Sequence, residues 1–252
     1  NAAQRSQVDG LSATGITWRR VSDMEDRALR AIITGIGGKN NAPIRESGFD
    51  IVTASEIMAI LALSSGLEDL RERLKRIVVA VASDGRPVTA DDIDGVGSMM
   101  SLLRHSIQPN LVQTQEGQPV LVHTGPFGNI AHGCSSVVAD KLALGYSDYV
   151  VTEAGFGADL GFEKFMDIKA RFNNLEPSAV VMVATVKALK SHGGVKFRDL
   201  GSPNEAAVAK GADNLVHLVD VVRSFGLPVV VAINEFPTDT LEEMAVVKKK
   251  IV

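Results

Sequence analysis

Three observations predict an α/β fold with a mostly parallel sheet flanked by helices. Four short runs, Pro119–His123, Tyr149–Thr152, Ala179–Ala184 and Pro228–Ile233, are almost wholly apolar. Strands that read as continuous apolar runs belong to sheets covered on both faces. Helical stretches separate them, Ile130–Leu144, Phe162–Phe172 and Ser202–Phe225, and such alternation implies crossover connections and parallel pairing. Each run is followed by polar, mostly glycine-rich sequence, as expected at the carboxyl edge of an open parallel sheet, where ligands gather.

The first ~15 residues are polar and small and predict a frayed end. From Ala54 to Ser64, Ile57, Met58, Ile60 and Leu61 recur at helical period, and Thr53 with Glu56 three residues on reads as a capping box. A charged amphipathic helix follows, Leu67–Arg76. The β-branched run Ile77–Ala82, ended by Asp84-Gly85 and resumed at Arg86–Thr89, predicts a hairpin. Thr89, with Asp92 three residues later, is expected to cap a helix reaching about His105. These elements make a helical and β-hairpin portion over 1–110, and the parallel α/β portion fills 111–252. Within it, Ser202–Phe225 has Ser202 at the N-cap, Pro203 at N1, Glu205 at N3 and Gly226 just past its end. The chain opens on Asn1 rather than Met and closes inside a predicted helix, Leu241 to Val252. Both features predict a piece of a longer protein.

Composition excludes several functions. Among 252 residues, 26 Lys+Arg against 30 Asp+Glu give a net charge of −4, without the basic footprint that nucleic acid or anionic membrane requires. Apolar runs such as Val229–Ile233 fall far short of the ~20 residues that span a bilayer. Asn1–Val8 has no apolar core of a signal peptide. Cys134 is the only cysteine, which excludes an internal disulfide and a cysteine-based zinc cluster. A soluble protein of a reducing compartment is expected.

The strand-end loops carry the candidate chemistry. Gly125–Cys134 contains Asn129 and His132, Glu153–Gly161 contains Gly155, Gly157 and Asp159, Leu189–Gly194 ends in His192-Gly193-Gly194, and the fourth begins at Asn234. Together they predict a site for a polar, phosphate-like ligand. Glu153 at a strand end suits Mg²⁺ bound with phosphate oxygens, or caps the following turn. His192-Gly193-Gly194 presents backbone amides and an imidazole to an anion, or is a simple turn. Asn234 reads a purine edge through its amide, or closes an Asx-turn before Pro237. His132 and Cys134 lack a third ligand at useful spacing and read as a polar helix-start residue and a small buried thiol. Gly155–Gly161 has G-x-G spacing without the context of a dinucleotide fingerprint. Gly35-Ile36-Gly37-Gly38-Lys39 lacks the G-x-x-x-x-G-K-[ST] spacing, which occurs nowhere in the chain, and reads as a flexible loop. Lys248–Lys250 reads as a solvated helix face.

As an ordered set, Thr17-Trp18-Arg19-Arg20-Val21, Arg45-Glu46-Ser47-Gly48-Phe49-Asp50-Ile51, Gly125–Cys134, Val150–Gly161 with Glu163-Lys164-Phe165, His192-Gly193-Gly194 and Asn234–Thr240 resemble the formate–tetrahydrofolate ligase family over nearly the whole chain. The resemblance implies ATP-dependent joining of formate to tetrahydrofolate through formyl phosphate, giving 10-formyltetrahydrofolate, ADP and phosphate. It further implies a P-loop NTPase-like core, with the P-loop before the Trp18 region and domains bearing pterin-stacking aromatics after Asn234–Thr240. By similarity to the strand-end acid of the related dethiobiotin-synthetase-like P-loop proteins Glu153 holds Mg²⁺, and in the same comparison Asn234 reads adenine; the Gly193 and Gly194 amides hold formyl phosphate, with His192 as an electrophile or proton donor. A monovalent cation and a homo-oligomeric parent, in the cytoplasm or the mitochondrial matrix, are also implied. The chain departs from the family's usual residues at Phe162 (alanine), Ser135 (asparagine), Thr124 (glycine) and Ser191 (methionine), and a ring at 162 predicts a narrowed pocket. Two other readings stand beside this one: a catalytically silent relative serving as a subunit or interaction module, and a P-loop ligase of the dethiobiotin-synthetase type.

Overall fold

The computed structural model describes residues 8, 11, 15–24, 26–41 and 43–251. Most of the expected frayed start, and Val252, lie outside them. The chain divides into two compact units, Asn1–Gly155 with Asp167–Asn173, and Phe156–Met166 with Asn174–Val252. The division does not fall at 110. The His123 ring, 2.6 Å from Ser136 Oγ and 2.7 Å from the Ser106 carbonyl, ties the segment after 110 back onto what precedes it.

In the first unit β1 (Arg20–Val21) pairs parallel with β4 (Phe49–Asp50), and β2 (Ile32–Thr34) pairs antiparallel with β3 (Arg45–Ser47). Next come α1 (Glu56–Leu63) and α2 (Leu67–Lys75), then the hairpin of β5 (Val78–Val81) and β6 (Pro87–Thr89), bulged between Val78 and Ala80. The hairpin and the Leu67 helix match expectation. The first helix is capped differently: Ser55, not Thr53, accepts from Met58 N at 3.1 Å, because Val52–Ala54 coil into a 3-10 turn. Thr89 and Asp92 do bond reciprocally, Thr89 N to Asp92 Oδ2 at 2.8 Å and Asp92 N to Thr89 Oγ1 at 3.3 Å. The helix itself, α3, begins only at Val96 and ends at Leu103, since Asp94 takes a left-handed φ of 52° that interrupts an earlier start. Leu70, Leu74, Ile77, Val79, Val88 and Val96 form the core of this unit.

The largest departure concerns the first two apolar runs. Pro119–Val122 is strand β8, but it pairs antiparallel with β7 (Asn110–Gln113). The intervening Thr114–Gly117 closes a tight turn, with Gly117 at φ 93° and Gly117 N donating to Thr114 O at 3.1 Å, and local pairing needs no crossover. Tyr149–Thr152 forms no strand; Tyr149 and Val151 are 91% and 97% exposed. The helix expected from Ile130 starts at Val137, capped by Ser136, and runs to Tyr146 as α4.

In the second unit β9 (Val180–Ala184) and β10 (Val229–Ile233) pair in parallel, as expected. Between them lie α5 (Val186–His192) and α6 (Glu205–Ser224), and α7 (Leu241–Ile251) follows. The cap of α6 is Asn204, accepting from Ala207 N at 3.0 Å, so Ser202 and Pro203 precede the helix. Only one face of the strand pair is covered. Ala184, Val186, Leu189, Val208, Leu215 and Val247 make the core, joined by Met182, Val231 and Ile233, while Val181, Val183 and Val230 are exposed. Phe162–Phe172 is replaced by π-helical turns, Gly157–Phe162 and Phe165–Ala170, and a short helical end, Arg171–Asn173. The chain is thus mixed α/β with short sheets.

Candidate functional site

The first unit holds Asn129, His132, Glu153 and Gly155. The loop after β8 turns at Thr124, a non-glycine residue with φ 58°. It is anchored by Gly125 N on Met58 Sδ at 3.2 Å and by Phe127 N on the Thr53 carbonyl at 2.9 Å. Thr53 Oγ1 and Thr124 Oγ1 are both buried without a hydrogen-bond partner among the described residues. Since a carbonyl can only accept, the His123 Nε2–H donates to Ser106 O, and Nδ1 takes the Ser136 hydroxyl proton. Asn129 is exposed on this loop, whereas His132 and Cys134 are buried, and the thiol donates to His132 O at 3.2 Å. The reading of Cys134 as a small buried thiol matches this geometry.

Glu153 is exposed on an extended stretch, and Gly155 at φ 84° turns the chain after it. Among the described residues no three His, Cys, Asp or Glu side chains gather to hold a metal ion. Glu153 therefore offers one carboxylate, and a Mg²⁺ there would take its other oxygens from phosphates and water, its usual habit at nucleotide sites. Beneath this stretch lies a group that the sequence reading missed. Lys169 Nζ sits 2.6 Å from Asp140 Oδ2, with the two side chains 0% and 9% exposed. Burial pushes the Asp140 carboxyl above its ordinary value, against the pull of Lys169 and Thr152. No sequence spacing marks this pair, because the partners are 29 positions apart and belong to elements whose meeting is tertiary.

A cavity of about 290 Å³ lies elsewhere in this unit, lined by Ile16, Thr17, Arg19, Arg30, Glu46 and Ser47. It contains none of the expected site residues, although two of the family-like segments line it. Its Arg19 is engaged by Asp50 at 3.1 Å and by the Arg30 carbonyl.

The second unit holds Gly157, Asp159, His192, Gly193, Gly194 and Asn234. At the carboxyl edge of its strands, Asn234 N donates to Ala184 O at 2.8 Å, and Thr185 caps α5 by accepting from Ala188 N at 3.1 Å. Lys187 Nζ stands 5.0 Å over the Phe236 ring. The turn at Pro237 is closed by Asp239, which accepts from Phe236 N at 2.9 Å. The alternative reading of Asn234, an Asx-turn before Pro237, is not what closes this turn: Asp239 accepts from the amide three residues before it, and the Asn234 side chain is exposed. Gly157, at φ 76°, and the exposed Asp159 lie on the π-helical turn.

His192, Gly193 and Gly194 do not stand at the strand end. They sit at the far end of α5, about 10 Å along a seven-residue helix. The Gly193 amide donates to Leu189 O at 2.8 Å and the Gly194 amide to Ser191 O at 2.9 Å, so both are already paired in closing the helix. A helix carboxyl end also repels anions. The expectation that these two amides cradle an anion is corrected accordingly, and packing explains Gly193 instead. A Cβ there would strike the Ala207 carbonyl of α6. The exposed His192 imidazole remains at the helix end.

Phe162 is buried and meets Phe225 edge-on, with ring centroids 5.3 Å apart and planes at 87°. Its ring fills the interior of its own unit. The second unit also contains a fully buried ion pair, Lys190 Nζ to Glu243 Oε1 at 3.1 Å. Glu243 accepts from Asn204 N at 2.8 Å and Thr240 N at 3.1 Å, and Lys190 donates to Ser202 O. Burial raises the Glu243 carboxyl, but these hydrogen bonds and Lys190 outweigh it and hold it below the ordinary 4.5. Here a sequence signal existed: Thr240-x-x-Glu243 is a capping box, and Thr240 Oγ1 accepts from Glu243 N at 3.2 Å.

The family model described as formate–tetrahydrofolate ligase matches residues 1–252. A formate–tetrahydrofolate ligase of Sphingobium sp. strain SYK-6 is 58% identical over 240 residues, 95% of this chain and 43% of that protein. One of Roseiflexus sp. strain RS-1 is 57% identical over 242 residues, 93% of this chain and again 43% of that protein. The chain therefore spans about 43% of the length of the curated relatives it matches. With a match that runs from its first residue to its last, the chain belongs to the formate–tetrahydrofolate ligase family.

Proposed function

We propose that the protein carrying this chain joins formate to tetrahydrofolate, with ATP converted to ADP and phosphate and formyl phosphate as the intermediate. The observation that carries this reading is the family match over the entire chain, with relatives named for that ligase at 57–58% identity. In this reading the chain contributes part of a P-loop-like nucleotide domain, and the parallel pair β9–β10 supports a parallel core. Asn234, exposed just past β10 with its backbone amide on the Ala184 carbonyl, is the residue for the adenine edge. Asn129, Gly155, Gly157 and Asp159 belong to the loops that approach phosphate. Glu153 supplies a carboxylate to phosphate-bound Mg²⁺, whose charge would offset that of the transferring phosphoryl group. For His192 the imidazole is the contact to formyl phosphate, because its neighbouring amides are paired. A homo-oligomeric parent and a monovalent cation are carried over from the resemblance alone. No described helix is long and apolar enough to cross a membrane.

The test is ADP release by the full-length protein with formate and tetrahydrofolate each omitted in turn. ADP release that needs both substrates is expected, and the isolated 252-residue chain is expected to release none. Release that ignores formate would overturn the assignment, and a silent full-length protein would favour a subunit or interaction role.

A further inference from the structure

The stretch that carries Glu153 is not held by a strand ladder: Tyr149–Thr152 pairs with no strand among the described residues. Side chains hold it instead. Ser135 Oγ and Thr152 Oγ1 share a hydrogen bond at 3.0 Å, and the Thr152 hydroxyl also bonds the Asp140 carboxyl. Lys169 Nζ, 2.6 Å from Asp140 Oδ2, reaches Ser135 Oγ at 3.4 Å. On the next residue, the Cys134 thiol lies 3.8 Å from the Ala154 carbonyl. The network thus closes a ring over four side chains, and its outermost member, Thr152, is covalently joined to Glu153.

Burying Lys169 and Asp140 removes two charges from water, and an apolar pair of similar volume would hold the same space at least as stably. What an apolar pair cannot supply is direction. Hydroxyls and charges fix the register of a backbone stretch to within a hydrogen bond's tolerance, whereas methyl groups allow it to slide. We infer that Asp140, Lys169, Ser135 and Thr152 are positioning residues that set where the Glu153 carboxylate stands. The inference rests on the reading of Glu153 as the carboxylate facing phosphate-bound Mg²⁺, and it adds the residues through which that carboxylate is aimed.

The experiment uses the full-length protein and reads KM for Mg·ATP separately from kcat, with the dissociation constant of Mg·ATP measured by calorimetry without formate or tetrahydrofolate and expected to rise with KM. Glu153→Gln tests the underlying reading and is expected to raise KM about tenfold or more. Thr152→Val removes the hydroxyl at nearly constant volume on an exposed residue. It is expected to raise KM about tenfold while leaving kcat within about twofold, and Thr152→Ser is expected to restore KM. In the double variant, Thr152→Val is expected to add nothing to Glu153→Gln, because its effect passes through the lost carboxylate. Effects that multiply would overturn the positioning role while leaving Glu153 in place. An unchanged KM in Glu153→Gln would remove both. If Thr152→Val does not fold, Ser135→Ala breaks the same link and is scored by the same criteria.

Discussion

Thr124 is the residue at which local chemistry and local backbone disagree most. Its φ of 58° is left-handed, and a side chain pays about 1–2 kcal/mol to stand there. Its hydroxyl is also buried without a partner among the described residues. Glycine, the usual family residue by resemblance, has no such penalty, although it adds about 0.5–1 kcal/mol of unfolded-chain entropy. Thr124→Gly is therefore expected to stabilise the chain, by up to about 1 kcal/mol, measured by urea denaturation. The sequence reading noticed the unusual residue but had no means of seeing its φ. At His192-Gly193-Gly194 the opposite occurred: the tripeptide looked like an anion cradle, and only the hydrogen bonds to Leu189 and Ser191 reveal that its amides are used.

At the scale of elements, α5 and α6 pack closely enough to dictate residue identity. In an exposed helix interior Gly→Ala gains about 1 kcal/mol. At Gly211 of α6 the sign reverses, because a Cβ would collide with the Leu189 carbonyl of α5. Gly211→Ala is expected to destabilise the second unit by about 1–3 kcal/mol, as overpacking does, visible as a lowered urea midpoint. Sequence periodicity located α6 to within a few residues and placed Gly226 correctly beyond its end, at φ 78°. It chose Ser202 over Asn204 as the cap because both residue types cap well. The choice was made by Glu243, which accepts from the Asn204 amide across 39 positions of sequence.

At the scale of the whole molecule the two units differ in how they meet acid. In the first, carboxyls are shifted in both directions. Burial raises Glu56, and it raises Asp140 against Lys169. Asp69 is raised by burial but lowered further by the Ser65 amide and Arg73, and the Thr89 amide and hydroxyl lower Asp92. In the second unit Glu243 is fully buried and held low. A carboxyl with a depressed folded pKa stabilises above its unfolded value of 4.5, and that stability is lost as pH falls through the folded pKa. Raised carboxyls act in the opposite sense. As pH falls below 4.5, amide hydrogen exchange is expected to report easier opening of the second unit, and Glu243→Gln is expected to flatten that pH dependence.

The sequence by itself determined the family, the Val78–Thr89 hairpin, the strand character of Val180–Ala184 and Val229–Ile233, and the approximate course of most helices. These follow from residue order and from periodicities of a few positions, which act locally or recur as motifs. Tertiary structure alone decided which apolar runs become strands of which sheet, where Gly193 and Gly194 direct their amides, and which buried charges meet. Pro119–Val122 found a local antiparallel partner, Tyr149–Thr152 found none among the described residues, and Lys169–Asp140 and Lys190–Glu243 formed across 29 and 53 positions. The physical reason is common to all of them. Burial and hydrogen-bond satisfaction depend on which surfaces come together in space, and an amide or a charge whose partner lies tens of positions away shows no sign of it in the sequence.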